Sequence, residues 1–234
     1  KNYYNGYKNS MFRFLVDMVF PKICLSCRKE GSHLCEDCFA LVSIAQTLSP
    51  VSRNSALSGL FCAASYQDVL VQRLIHFFKY PPFLRGLAIP LASFIIAHLS
   101  LVDKPHSQVT LPPVSHGTGQ GPAPYGTGQG WLLCPIPLHK RRLRWRGFNH
   151  AEEIAKVLSE TLEIPVDSGV LVRTKHTAPQ VSLPQKERTS SRMKGMFRAR
   201  NVQAIRGKKI LLVDDVYTTG ATMEAAAQAL KGAG

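Results

Sequence analysis

Acidic side chains are scarce in this chain. Fifteen Asp and Glu stand against 29 Lys and Arg in 234 residues, a formal net charge of +14. That imbalance points to anionic partners, such as phosphates, nucleic acid or acidic lipid heads, and is silent about fold. A basic proteome would give the same number without any partner. Long apolar runs are also lacking. The longest uncharged stretch, Leu87 to Val102, is interrupted by Pro90, Ser93, His98 and Ser100. It is short of the roughly 20 residues that cross a bilayer, so a buried helix is expected and no membrane span. Residues 1–20 do not read as a secretory signal, because Arg13 and Asp17 break their apolar stretch and no small-residue cleavage site follows. The six cysteines are not spread as a secreted disulfide framework would be, and a cytoplasmic location is expected. With 45% hydrophobic residues, including 11 Phe and 7 Tyr, wholesale disorder is excluded as well.

The positive charge is concentrated. Residues 1–134 carry net +5, residues 135–209 net +11, and the last 25 residues net −2. Elements alternate along the chain. A short helix is expected over Met11–Phe20, a strand over Leu60–Tyr66, and helices over Val69–Tyr80 and Leu84–Leu101. Residues 103–130 hold five prolines and a twice-repeated Gly-Thr-Gly-Gln-Gly, which reads as a flexible low-complexity insertion. No Lys-Ser/Thr follows those glycines and no strand precedes them, so they are not a P-loop. Order resumes with a strand from Trp131 into a proline-marked turn, then a helix over His150–Leu162 capped by Asn149. A strand at Val170–Val172, a polar loop at 173–184 and a helix at Gln185–Lys194 follow. A buried strand at Lys209–Val213 and a helix at Thr222–Leu230 complete the pattern, which is that of an α/β domain with a mainly parallel sheet. Met11 reads as a natural start. The end at Gly234, just after a helix, reads as that of a truncated chain.

Three segments carry chemistry. The first is Ile210-Leu-Leu-Val-Asp-Asp-Val-Tyr-Thr-Thr-Gly-Ala-Thr222. A four-residue apolar strand delivers Asp214 and Asp215 to its carboxyl end, where open α/β sheets bind ligands. Thr218, Thr219, Gly220, Ala221 and Thr222 then open a helix whose first N–H groups and hydroxyls suit a phosphate monoester. The two carboxylates are placed to accept from the vicinal hydroxyls of a ribose whose 5-phosphate sits in that loop. A strand and helix joined by capping threonines is the plain alternative, and it leaves the paired carboxylates unexplained.

The second is Cys24-x2-Cys27-x7-Cys35-x2-Cys38, two knuckles that complete a closed tetrahedral Zn²⁺ site. His33 is an alternative ligand because the spacer is short. Redox C-x-x-C chemistry would need no second pair. Cys62 and Cys134 fall in expected strands and read as core residues. The third segment, Lys140 to Asn149, interleaves five basic residues with Trp145 and Phe148. Arg142, Arg144, Trp145 and Arg146 are candidates for single-stranded nucleic acid, by backbone tracking and base stacking. Equally, the aromatics could pack inside while the charges build a phosphate site.

The Asp-Asp-Thr-Thr-Gly segment resembles the PRPP-binding signature of type I phosphoribosyltransferases. The rest of the chain is similar to the ComF family, which is associated with competence and DNA uptake. Phe20-Pro-Lys-Ile-Cys-Leu-Ser-Cys, Leu74-Ile…Lys79-Tyr80, Pro135-Ile-Pro-Leu-His, Arg146-Gly-Phe-Asn-His-Ala-Glu, and Gln180 followed by Arg188 carry the likeness. It excludes only residues 1–10 and 103–130. The family usually has Gln where this chain has His150. The resemblance implies a type I phosphoribosyltransferase-like fold over 60–234, with a zinc-binding module at 21–45 behind an N-terminal tail of 20 residues. It implies that Asp214 and Asp215 bind the ribose, that Thr218–Thr222 bind its 5-phosphate, and that Pro137, Leu138 and His139 form the pyrophosphate loop. Residues 173–188 become a mobile loop with Arg173 and Lys175 as leaving-group stabilisers, and Mg²⁺ accompanies the pyrophosphate. Two functions follow as expectations. One is phosphoribosyl transfer to an unknown acceptor. The other is a non-catalytic, zinc-containing accessory of DNA uptake that binds single-stranded DNA and senses PRPP.

Overall fold

A computed structural model describes residues 21–102, 130–174 and 195–233. The expected helices at 11–20 and 185–194, and the insertion up to residue 129, lie outside them. The described elements are helices α1 (Glu36–Ala40), α2 (Val69–Lys79), α3 (Ala88–Val102), α4 (Lys140–Arg146), α5 (His150–Leu162), α6 (Val202–Ile205) and α7 (Ala221–Lys231). The strands are β1 (Trp131–Pro135), β2 (Leu171–Arg173), β3 (Phe197–Ala199) and β4 (Lys209–Val213).

Helix α2 forms where its spacing requires. Asp68 caps it by accepting from the amides of Leu70 and Val71 at 2.7 and 3.1 Å. Val71, Leu74, Ile75 and Phe78 point inward at helical spacing. The chain leaves the helix in an extended conformation at Tyr80, as a residue before proline must. Helix α3 is apolar nearly all round. Arg85–Val102 is long and apolar enough to cross a membrane, yet here Leu91, Phe94, His98 and Leu99 are buried in the protein core. It packs against α5, whose Ile154, Ala155, Leu158 and Leu162 supply the opposing face. The Arg85 guanidinium clamps Glu153 of α5 with two contacts at 2.5 and 2.6 Å.

β1 and β4 pair in parallel, Trp131 with Lys209 through Pro135 with Val213. A parallel bridge from Leu133 to Val166 extends the sheet on the other side of β1. Alternate residues serve two cores. Leu133, Leu211 and Val213 face α2, α3 and α5, while Leu132, Cys134, Ile210 and Leu212 face β2, β3, α6 and α7. The sheet is thus sandwiched, as parallel sheets are. β4 is less covered than its apolar run suggested: Ile210, Leu211 and Leu212 are half-buried and only Val213 is fully inside. Its described ladder runs along one edge only.

Two further expectations are corrected. Leu60–Tyr66 is not a strand. It makes isolated bridges, Ser49 with Leu60 and Ile44 with Ala64, whose registers differ by one residue, so no continuous ladder joins them. Cys62 therefore sits in irregular chain and is only partly buried, whereas Cys134 is a core residue in β1 whose thiol burial pushes up to about 12. β2 lies where a strand was expected at Val170–Val172, but its antiparallel partner β3 and the short helix α6 were not expected; each is too short to show a period.

Candidate functional site

Parallel pairing in register brings the carboxyl ends of β1 and β4 together. The Ile136 amide donates to the Val213 carbonyl at 2.9 Å, so the turn at Pro137, Leu138 and His139 lies beside Asp214 and Asp215. Asn149 fastens this corner. It begins α5, but its side chain does not cap the helix as expected; its Nδ2 donates instead to the Ile136 carbonyl at 3.0 Å. His139 caps α4, with Nδ1 accepting from the Arg141 amide at 3.3 Å.

The two carboxylates have different surroundings. Asp215 is 7% exposed and pairs with Lys79 from the end of α2, Oδ1 to Nζ 2.9 Å. Asp214 accepts from the Asp215 amide at 2.9 Å and lines a small solvent-facing recess of about 30 Å³. The remaining wall of that recess is the loop 216–223. Burial, and next the neighbouring Asp215 charge, push the Asp214 carboxyl up to about 8. Gly220 opens α7 with φ +75°, a conformation that favours glycine. A Cβ there would also collide with the Tyr217 ring, which lies across the loop. Thr218 and Thr219 are exposed, and Gly220, Ala221 and Thr222 half-buried, at the start of a helix whose first N–H groups lack intrahelical partners.

Cationic groups surround this corner. Arg173, at the end of β2, lies over the Phe197 ring at 5.6 Å. Burial and the like charge of Arg142 pull its guanidinium down, and Asp214 opposes them, so all three groups share one neighbourhood. Lys175 lies outside the described residues. Arg146 is half-buried, held between Tyr80 and Trp145 at 5.6 and 5.7 Å, and bonded to His150 Nδ1 at 3.2 Å. His150 is 2% exposed, and burial pulls it down to about 4, so it is neutral at pH 7. Its Nε2 then donates to the Phe78 carbonyl at 2.9 Å and its Nδ1 accepts from Arg146.

The Sγ atoms of Cys24, Cys27, Cys35 and Cys38 all lie within 4.8 Å of one another. Four ligands at the usual Zn–S distance of about 2.3 Å would stand about 3.8 Å apart, so this donor set could hold a metal such as zinc. Burial alone would push the Cys24 thiol up, but backbone N–H groups of Cys35, Cys27 and Ser26 outweigh it and bring it down to about 6. His33 is not part of the cluster; its ring rests against Gly86. Among the described residues no second group of His, Cys, Asp and Glu converges in this way.

The phosphoribosyl transferase domain family matches residues 145–234, which include β4, both carboxylates and the glycine loop. Competence protein F of Haemophilus influenzae is 32% identical over 99 residues, 42% of this chain and 43% of that protein. The DNA utilization protein YhgH of Escherichia coli K12 is 37% identical over 98 residues, 42% of each chain. Competence protein ComFC of Bacillus subtilis is 38% identical over 100 residues, 43% of this chain and 38% of that protein. The domain match and these relatives support a likeness to the ComF family over the matched segment. The matched segment spans less than half the length of each of these relatives. No solved structure matches significantly.

Two features of this chain were hidden in its sequence. Lys79 is 135 to 136 positions from the carboxylates it serves, and only the fold joins them. The basic string also separates into two parts. Phe148 is buried in the core between Phe78 and His150, as the packing alternative holds. Trp145 is 56% exposed on α4, edge-on to Phe83 at 5.2 Å and Tyr80 at 6.4 Å, and α4 has no buried residue.

Proposed function

We propose that this protein binds Mg²⁺–PRPP, or a related 5-phosphoribosyl ligand, at the carboxyl ends of β1 and β4, and transfers the phosphoribosyl group to an acceptor. The carrying observation is the shared corner: Asp214 on the recess, the 216–223 loop, and the 137–139 turn. Thr218–Thr222 receive the 5-phosphate, the Asp214–Asp215 corner receives the ribose diol, and the 137–139 turn receives pyrophosphate. Arg173, with Lys175 beyond it, stabilises the leaving group. The C1–O bond to pyrophosphate breaks as the acceptor's bond to C1 forms, and pre-placed positive charge on pyrophosphate is the main catalytic device. With Asp215 committed to Lys79 the described residues offer no protein cage for Mg²⁺, so ligand oxygens and water would hold it.

Zinc in the four-cysteine module serves structure, and cysteines used as metal ligands suit the cytoplasm, where we place the protein. The names of the relatives point to competence and DNA utilization, and we place this chain in DNA uptake with them. The test is Mg²⁺–PRPP offered with each free nucleobase, following pyrophosphate release and ligand binding by calorimetry. Asp214→Asn with Asp215→Asn should abolish PRPP binding; unchanged binding would place the site elsewhere. A second reading, a non-catalytic single-stranded DNA binder, is favoured by exposed Trp145 on the basic helix α4. It predicts PRPP binding without turnover.

A further inference from the structure

We infer that Lys79 is the positioning residue that divides labour within the carboxylate pair, leaving Asp214 as the group that meets the sugar. The inference rests on the 5-phosphoribosyl reading above. Two carboxylates adjacent in sequence would ordinarily be interchangeable candidates for a vicinal diol. Here they are not equivalent. Asp215 is turned away into an ion pair with Nζ of Lys79, both partners largely out of water at 7% and 21% exposure. Asp214 lines the recess below the glycine loop, and Asp215 does not. One Asp214 oxygen is engaged by the Asp215 amide, which fixes the plane of the carboxyl.

Lys79 reaches this position because α2 ends there. Leu74, Ile75 and Phe78 seat the last turn in the core, and His150 Nε2 holds the Phe78 carbonyl. Removing the ammonium would leave a buried carboxylate beside Asp214 without its ion-pair partner, opposed by the Arg146 charge at longer range, and such a broken pair reorients or takes up a proton. Either outcome displaces Asp214 and disturbs sugar recognition without touching the phosphate loop.

Full-length Lys79→Met, Lys79→Arg, Asp214→Asn and Asp215→Asn are titrated calorimetrically with ribose 5-phosphate and, separately, with inorganic phosphate. Lys79→Met should bind ribose 5-phosphate about tenfold more weakly and inorganic phosphate as the parent does. Lys79→Arg should recover most of the loss. Asp214→Asn should cost more than Asp215→Asn. Unchanged or tighter sugar binding by Lys79→Met overturns the inference, as does equal loss of both ligands, which would mark Lys79 as general fold support. Should Lys79→Met fail to fold, the two Asp variants decide: an Asp215→Asn defect equal to or larger than that of Asp214→Asn overturns it. Loss of sugar binding in neither Asp variant would instead sink the 5-phosphoribosyl reading itself.

Discussion

A carboxyl held out of water beside another carboxylate keeps its proton to unusually high pH, and Asp214 is held in that way. Its folded pKa, about 8, exceeds its ordinary value of 3.8, so between those values the folded chain binds protons that the unfolded chain has released. Its contribution to stability is therefore full below about pH 4 and is lost as pH rises through about 8. Thermal melts followed by circular dichroism at pH 5 and pH 8.5 should show a drop in Tm for the parent and a smaller drop for Asp214→Asn. Equal drops would mean that Asp214 does not carry the linkage. The two acids themselves were legible in the sequence, because a strand, two carboxylates and a Thr/Gly turn are contiguous. Lys79 and the Arg146–His150 contact were not, since those partners take meaning only from where α2 ends and α5 begins.

Among the elements, α2 has a double attachment. Near its start Leu70 packs on the cysteine cluster and Arg73 Nη1 donates to the Leu25 carbonyl at 2.8 Å; at its end Lys79 reaches Asp215. Metal in the cysteine module would then brace the helix that serves the carboxylates. Elemental analysis of purified protein should give one zinc per chain, and Cys38→Ser should lose it, with hydrogen exchange rising across residues 21–45 and into α2. Faster exchange confined to 21–45 would show that α2 stands without the module. The other load on the sheet is α5, where Leu158 is 1% exposed. Leu158→Ala should cost about 2–5 kcal/mol in urea unfolding; a cost under about 1 kcal/mol would mean that the α3–α5 seam is loose. The helices α2, α3, α5 and α7 were readable because each runs long enough to repeat an apolar face. β3 and α6 were not, because three or four residues show no period, and the Asn149 side chain was misassigned because a tertiary acceptor at Ile136 displaced its local capping role.

At the scale of the whole molecule, the basic groups behind the net charge of +14 stand in two different settings. Arg146 and Arg173 are half-buried and lie near the carboxylate corner, so part of the positive field of 135–209 faces the site proposed for a 5-phosphoribosyl ligand. Lys140, Arg141 and Arg144 are exposed on α4 around Trp145 and have no such duty on that side. If they meet single-stranded DNA, affinity must fall with salt, because each phosphate neutralised releases about 0.7 counterion. Binding of a fluorescent oligothymidylate, measured from 50 to 300 mM salt, should give a log–log slope that flattens by about 1.4 in Arg141→Gln with Arg144→Gln. Trp145→Ala should behave differently: stacking is worth about 1–3 kcal/mol per base and releases no counterions, so affinity falls while the slope holds. An unchanged slope in the arginine variant removes α4 from the DNA reading. The charge would then be read as serving the phosphates of the proposed 5-phosphoribosyl ligand alone, and PRPP binding should survive both substitutions because neither residue lines the recess with Asp214.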